Sequence, residues 1–208
     1  MDDKRVVRRG YDEMGEIYAS ERTGDPFEGE TLDTLLDSLP EEPRVLDAGC
    51  GQGTPILDRL QDSVTAIGLD FSRGQLQLAT QNVSAASFTQ GDMTALPFRD
   101  ATFDAVTAYH SMIHIPSDEH QTVIDEFARV LNPDGQMLLT SGSAEWSGAN
   151  SDWLGSDVEM RWSMSGPENT VEQLESAGFS TTNQWTIENG CAEDDDATFT
   201  AFLARLHE

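Results

Sequence analysis

Lysine is almost missing from this 208-residue chain: Lys4 is the only one, and Lys and Arg together number 12 against 38 Asp and Glu, a formal net charge of −26. So few cations argue against broad electrostatic capture of nucleic acid, whose phosphates such a surface repels. Cysteine is scarce as well. Cys50 and Cys191 are the only two, which excludes a disulfide framework or a cysteine-rich zinc knuckle and fits a reducing compartment. No apolar run reaches 18 residues, and the start Met1-Asp2-Asp3-Lys4-Arg5 leads into none. Neither a membrane span nor a secretory signal is therefore expected, and a cytoplasmic location is. The sequon at Asn82-Val83-Ser84 is then incidental.

What is present begins with acid. The Asp and Glu residues are spread along the whole chain rather than gathered in one block. A basic partner would call for a local concentration, so the distribution points instead to adaptation to high salt. There the Debye length falls to roughly 3 Å at 1 M and self-repulsion is screened. Hydrophobic residues make up 38% and cluster into strand-length and helix-length runs. That describes a folded chain of one domain, with a monomer or a homodimer equally compatible.

The order of elements points to the fold class. Residues 5–20 and 27–38 have helical spacing, the second carrying Leu32, Leu35 and Leu36. After Pro40 and Pro43, strands are expected at 44–48, 65–69, 86–89, 103–108 and 136–140. Helices fall between them: one with Ile56, Leu57 and Leu60, one capped by Ser72 and running to about 83, and one over 117–131. This alternation predicts a three-layer αβα sandwich around a mostly parallel sheet. Residues 141–167, rich in Ser, Gly and Trp, break the rhythm and read as a long irregular loop or lid. A helix at 168–177 and strands near 179–188 and 197–204 follow, the last pair antiparallel around the acids 193–196, for seven strands in all. The chain thus divides into a helical cap (1–40), a ligand-binding core (44–141), a substrate loop (142–167) and a closing helix with two strands (168–208).

The strongest local signal is Val45-Leu46-Asp47-Ala48-Gly49-Cys50-Gly51-Gln52-Gly53. Glycines between a strand and a helix let a ligand approach the backbone, and the free N–H groups of the helix start favour an anionic group. Two details narrow the ligand. Thr54 stands where a nicotinamide fingerprint wants Gly or Ala, and Asp47 is ill suited to a pyrophosphate but suited to an ammonium group.

At these residues the chain resembles the class I S-adenosylmethionine-dependent methyltransferases, a family with a Rossmann-like fold, and the resemblance extends over most of its length. It implies that Asp47, Gly49, Cys50, Gly51 and Gly53 surround the methionine end, Cys50 through its backbone. It implies that Asp70 accepts from the ribose hydroxyls, that Phe71 packs on the adenine, that Asp92 in the Gly91-Asp92-Met93 turn accepts from the adenine amino group, and that Met93 covers the ring. Phe103 to Val106 and Arg129 to Gly135 match the fourth strand and the turn before the fifth, with Asp134 standing where the family usually has Gly. Tyr18, on a first helix like those that cap the cofactor in many small members, is expected over the methionine end. Arg22 is read as an ion-pair partner rather than a carboxylate clamp.

On the acceptor side, the resemblance places Ala108 to Ile115 beside the reacting methyl. Tyr109 and His110 are the candidate catalytic residues, with His110 able to take a proton from a hydroxyl or amine. His114, Trp146, Trp153 and Trp162 are candidates for substrate contact. His110, His114 and His120 lack an acid or cysteine at ligand spacing, so no metal is expected. The implied reaction is methyl transfer from S-adenosylmethionine to O, N or C of a small molecule, with S-adenosylhomocysteine released. A cofactor-binding protein without catalysis, a macromolecular acceptor and a nicotinamide-dependent oxidoreductase are the alternatives.

Overall fold

The computed structural model describes residues 3–21, 26–188 and 198–207. At its centre is a seven-stranded sheet in the order β3-β2-β1-β4-β5-β9-β8. It is built from β1 (Arg44–Ala48), β2 (Thr65–Asp70), β3 (Ser87–Gln90), β4 (Phe103–Ala108), β5 (Leu131–Gly142), β8 (Phe179–Glu188) and β9 (Thr198–Leu206). The inner strands are apolar on both faces: every residue of β1 after Arg44, and of β2 after Thr65, is buried. Strands covered on both sides read as continuous hydrophobic runs, and this burial is what a parallel sheet between helical layers requires. The strands β1 to β5 pair in parallel, whereas β9 runs antiparallel to both β5 and β8.

From β1 the chain steps outward through β2 to β3 and then returns to β4 on the other side of β1. The strand order reverses there, so the carboxyl ends of β1 and β4 open a crevice, the usual ligand position in such sheets. The helices α3 (Ile56–Leu60), α4 (Arg73–Asn82) and α5 (His120–Val130) lie within a few residues of their expected bounds. Ser72 caps α4 as anticipated, its Oγ accepting from the Gln75 N–H at 3.1 Å. Pairing of β5 begins early, at Leu131, then shifts register before Gln136. The intervening Asp134 has φ +64°, a left-handed conformation that Asp tolerates in place of Gly.

The segment 141–167 corrects the expectation of an irregular loop. It forms a hairpin of β6 (Glu145–Asn150) and β7 (Met160–Ser165), joined through a 3-10 turn at Trp153–Gly155, before α6 (Gly166–Ser176). Its strands show only intermediate or exposed positions except at the ends of β7, so no apolar alternation marked them in the sequence. The hairpin is held by tertiary contact. Trp153, Val158 and Met160 form an apolar cluster with Val7, Tyr11, Met14 and Tyr18 of the first helix. The acids 193–196, expected in the last hairpin loop, lie outside the described residues, as does Arg22.

The first helix, α1 (Asp3–Glu21), kinks at Met14, and α2 (Pro26–Leu36) follows. Polar contacts fasten α1 across the carboxyl edge of the sheet. Lys4 pairs with Asp92 at 3.0 Å and Glu119 at 2.7 Å. Asp3 pairs with Arg161 of β7 at 2.6 Å. Asp12 Oδ1 accepts from the Ser72 hydroxyl at 2.7 Å and the Gly74 N–H at 3.0 Å.

Candidate functional site

Beneath α1, at the carboxyl ends of β1, β2 and β4, lies a cavity of about 570 Å³ counting its open mouth. Its floor is the turn after β1. Gly49 and Gly51 line it, both with positive φ (+80° and +53°). A Cβ on Gly49 would stand 2.3 Å from Ser111 Cβ, so this glycine lets the turn pack on the loop after β4, whereas one on Gly51 would meet nothing closer than Gln75 Oε1, at 3.6 Å. The cradle of the turn is therefore roomiest at Gly51. Gly53 serves packing as Gly49 does. A Cβ there would sit 2.8 Å from Val83 and beside Ala79, so this glycine seats the turn on α4.

Cys50 and Asp47 stand behind the cradle and are not among the residues lining the cavity. The Cys50 thiol is buried near Gly68. Burial, with the charges of Asp70 and Asp47 added, pushes it well above the ordinary thiol range, the environment of an inert structural cysteine. Asp47 is buried at the end of β1 and accepts from the Thr107 hydroxyl at 2.8 Å.

Asp70, at the end of β2, lines the cavity. One of its carboxylate oxygens accepts from the Gly51 N–H at 2.9 Å and the other from the Ser72 N–H at 2.8 Å. Burial nevertheless raises its pKa to about 6, against the lowering effect of those N–H groups. Phe71, Gly91, Asp92 and Met93 continue the same wall. Burial works against the Asp92 charge, but the Thr94 N–H and hydroxyl and the Lys4 ammonium outweigh it and hold the carboxyl below its usual range.

The opposite wall is aromatic. Tyr18 and Tyr109 line the cavity, and Tyr11 does too, although nothing in the linear pattern set it apart from its neighbours. Tyr11 packs edge-on against Tyr18 at 5.2 Å and His114 at 5.3 Å between ring centres. Its hydroxyl lies 2.8 Å from His114 Nε2, while His114 Nδ1 lies 3.0 Å from the Arg161 carbonyl. A carbonyl only accepts, so Nδ1 carries the hydrogen, Nε2 accepts, and the Tyr11 hydroxyl donates. Burial lowers the His114 pKa to about 4, so the ring is neutral near pH 7.

His110 is brought to the same cavity with φ +52°. Its N–H donates to Thr140 Oγ1 at 2.7 Å, and its ring stands edge-on between Tyr109 and Phe199. A non-glycine residue in this backbone region is uncommon, and such positions cluster at functional sites.

The tryptophans divide. Trp153 and Trp162 pack together at 5.3 Å behind Tyr11, Tyr18 and His114. They back the aromatic wall without lining the cavity. Trp146 is 50% exposed on β6, away from it. His120 is used structurally, between the Ser165 hydroxyl and the Ile115 carbonyl. Among the described residues no group of three or more His, Cys, Asp or Glu is placed to hold a metal, and no helix is long and apolar enough to cross a membrane.

Gln75 was also unmarked by the sequence. It lines the cavity and is 1% exposed, and neither polar atom of its side-chain amide has a hydrogen-bond partner among the described residues.

Comparison with known proteins agrees with this geometry. Residues 45–135 match the family described as a methyltransferase domain. The chain is 30% identical over 143 residues to a demethylmenaquinone methyltransferase of Bacillus licheniformis, covering 66% of this chain and 60% of that one. It is 36% identical over 116 residues to the 27-O-demethylrifamycin SV methyltransferase of Amycolatopsis mediterranei, covering 51% and 42%. The chain spans about half the length of the curated relatives it matches. Among solved structures, the magnesium protoporphyrin IX methyltransferase of Synechocystis, with bound S-adenosylhomocysteine, superposes with a TM-score of 0.73 at 18% identity, over 99% of this chain and 100% of that one.

Proposed function

Because this chain belongs to the class I S-adenosylmethionine-dependent methyltransferases, we propose that it transfers a methyl group from S-adenosylmethionine to a hydroxyl or amine of a small molecule and releases S-adenosylhomocysteine. The observation that carries the reading is the cavity whose floor is the Gly49–Gly51 turn and whose wall holds the buried carboxylate of Asp70. The residues present fit the cofactor. Asp70 offers acceptor oxygens for ribose hydroxyls. Phe71 and Met93 give apolar surface for the adenine, and Asp92 an acceptor for its amino group. The Gly49–Gly51 backbone and Tyr18 take the methionine end, with Asp47 supplying negative charge behind the turn.

Bound S-adenosylmethionine supplies a methyl group activated by a sulfonium, so catalysis needs alignment and exclusion of water more than strong acid–base chemistry. Lid helix α1 and the aromatic wall provide that enclosure. Tyr11 directs its hydroxyl proton to His114 and so offers only lone pairs elsewhere. It therefore favours an acceptor that carries a hydrogen on the atom to be methylated. His110 takes that proton, and Tyr109 fixes the imidazole from one side. The flat aromatic surface suits a ring-bearing acceptor, and the ring systems in the names of the quinone, rifamycin and porphyrin relatives support the same class. Trp153 and Trp162 act on the acceptor only through Tyr11, Tyr18 and His114. A cytoplasmic, salt-adapted protein, monomeric or homodimeric and without nucleic-acid partners, accords with the charge of −26.

Calorimetric titration of S-adenosylmethionine and S-adenosylhomocysteine in concentrated KCl tests the reading, with Asp70→Ala as the control. Micromolar binding that weakens by about tenfold or more in the variant is expected, equivalent to ~1.4 kcal/mol. Failure of folded protein to bind either ligand overturns it.

A further inference from the structure

Tyr11, Ser111 and His114 line the cavity with no side-chain hydrogen left to give. The Tyr11 hydroxyl donates to His114 Nε2 at 2.8 Å, and His114 Nδ1 donates to the Arg161 carbonyl at 3.0 Å. The Ser111 hydroxyl donates to the Ala48 carbonyl at 2.7 Å. Each of these hydrogens is committed to the protein, so what Tyr11 and Ser111 can offer a ligand is oxygen lone pairs. The Gln75 amide, which keeps its hydrogens, stands beside Gly51 on the cofactor side.

The charges have the same bias. Among the described residues, the lining holds two carboxylates, Asp70 and Asp92, and neither lysine nor arginine. The cations on the elements around it are spent on acids: Lys4 on Asp92 and Glu119, Arg161 on Asp3 and Glu159. The rings of Tyr11, Tyr18 and Tyr109 also line the cavity, and the face of an aromatic ring attracts a cation. An anionic acceptor would lose its hydration against this wall without a matching positive charge. A hydroxyl would meet no side-chain donor there for the negative charge that builds on oxygen as its proton leaves. An ammonium finds lone pairs for its hydrogens and ring faces for its charge.

We propose that the acceptor is an amine on a ring-bearing small molecule, bound as the ammonium against Tyr11 and Ser111. The proposal rests on the methyl-transfer reading above and narrows its acceptor from a hydroxyl or amine to the amine alone. The ammonium gives one proton to His110, and the amine so formed attacks the methyl carbon with its lone pair. The N–C bond forms as the S–C bond breaks, the electron pair of that bond stays on sulfur, and the positive charge passes to nitrogen. The products are a methylated ammonium and S-adenosylhomocysteine. The sulfonium charge nearby favours departure of the proton, and the lone pairs of Tyr11 and Ser111 then face the charge that returns to nitrogen.

The test titrates protein saturated with S-adenosylhomocysteine, in concentrated KCl at pH 7, with three ring-bearing probes of similar size: benzylamine, a cation; benzyl alcohol, neutral; and benzoate, an anion. Benzylamine is expected to bind about tenfold more tightly than either of the others. Tyr11→Phe keeps the ring and removes the oxygen, and should cost benzylamine about tenfold in affinity. With S-adenosylmethionine in place of the product, mass spectrometry should find methylation of benzylamine at nitrogen and no benzyl methyl ether. The amine assignment is overturned if benzyl alcohol or benzoate binds as tightly as benzylamine, or if benzylamine is bound but not methylated. It is overturned too if Tyr11→Phe, still binding S-adenosylhomocysteine, keeps full affinity for benzylamine, or if no probe binds the saturated protein. Each of those results leaves the cofactor reading standing. Failure of folded wild type to bind S-adenosylhomocysteine overturns both.

Discussion

Two buried residues at the cavity respond to acid in opposite directions. Asp70 titrates near 6 in the fold, above its ordinary value, because burial disfavours the carboxylate. The native state then holds a proton that the unfolded chain releases, so the stability this group contributes is present at low pH and is lost as pH rises through about 6. His114 is lowered to about 4 by burial. The unfolded chain binds that proton first, so stability is lost as pH falls from about 6.5 toward 4. Each contribution is on the order of 3 kcal/mol at about 1.4 kcal/mol per pKa unit. Denaturant titrations between pH 4 and 7 should therefore tilt in opposite senses. Asp70→Asn should lose more stability on acidification than wild type, and His114→Phe less. Parallel shifts in the two variants would contradict this assignment. The same Asp70 ionisation predicts that S-adenosylhomocysteine affinity declines below about pH 6.

At the scale of elements, the β6–β7 hairpin matters through one tryptophan and not the other. Trp153 is buried among Tyr11, Tyr18 and Trp162, while Trp146 is half exposed. Trp153→Ala should cost ~3–5 kcal/mol of stability and loosen α1. Trp146→Ala should fall within about 0.5 kcal/mol of wild type by chemical denaturation. Lid helix α1 also depends on Lys4, whose ion pairs with Asp92 and Glu119 overcome partial burial and raise its pKa above the ordinary lysine value. The pairs are partly exposed, so they carry little global stability. Lys4→Met should speed amide exchange in residues 3–21 while leaving exchange in β1 and β4 unchanged. Equal acceleration in the central strands would mean that the lid is not an independently opening unit.

For the whole molecule, the charge of −26 on 208 residues decides the solution behaviour. Self-repulsion opposes the compact state and is screened as the Debye length shrinks from about 10 Å at 0.1 M to about 3 Å at 1 M. The unfolding midpoint should rise steeply with KCl up to about 1 M. A neutral osmolyte at equal osmolality should raise it less. Equal responses would assign the acidity to something other than salt adaptation.

The sequence by itself determined the alternation of strands and helices, the Ser72 cap, and the positions of Gly49, Gly51, Asp70, Asp92 and Met93. These depend on local spacing and on backbone conformations that only certain residues adopt, and such signals survive in a linear reading. The hairpin at 145–165 was not legible, because its strands gain stability from packing on α1 rather than from an apolar alternation of their own. Tyr11 and Gln75 joined the site only in three dimensions, and so did the pairing of His114, itself a candidate in the sequence, with Tyr11. Their roles depend on which hydrogen-bond partners are already taken: the Arg161 carbonyl fixes the His114 tautomer from 47 residues away, and Asp70 claims the Ser72 N–H that would otherwise hold Gln75 in a capping box. Hydrogen bonds are exclusive, and only the tertiary structure decides which groups are left over to meet a ligand.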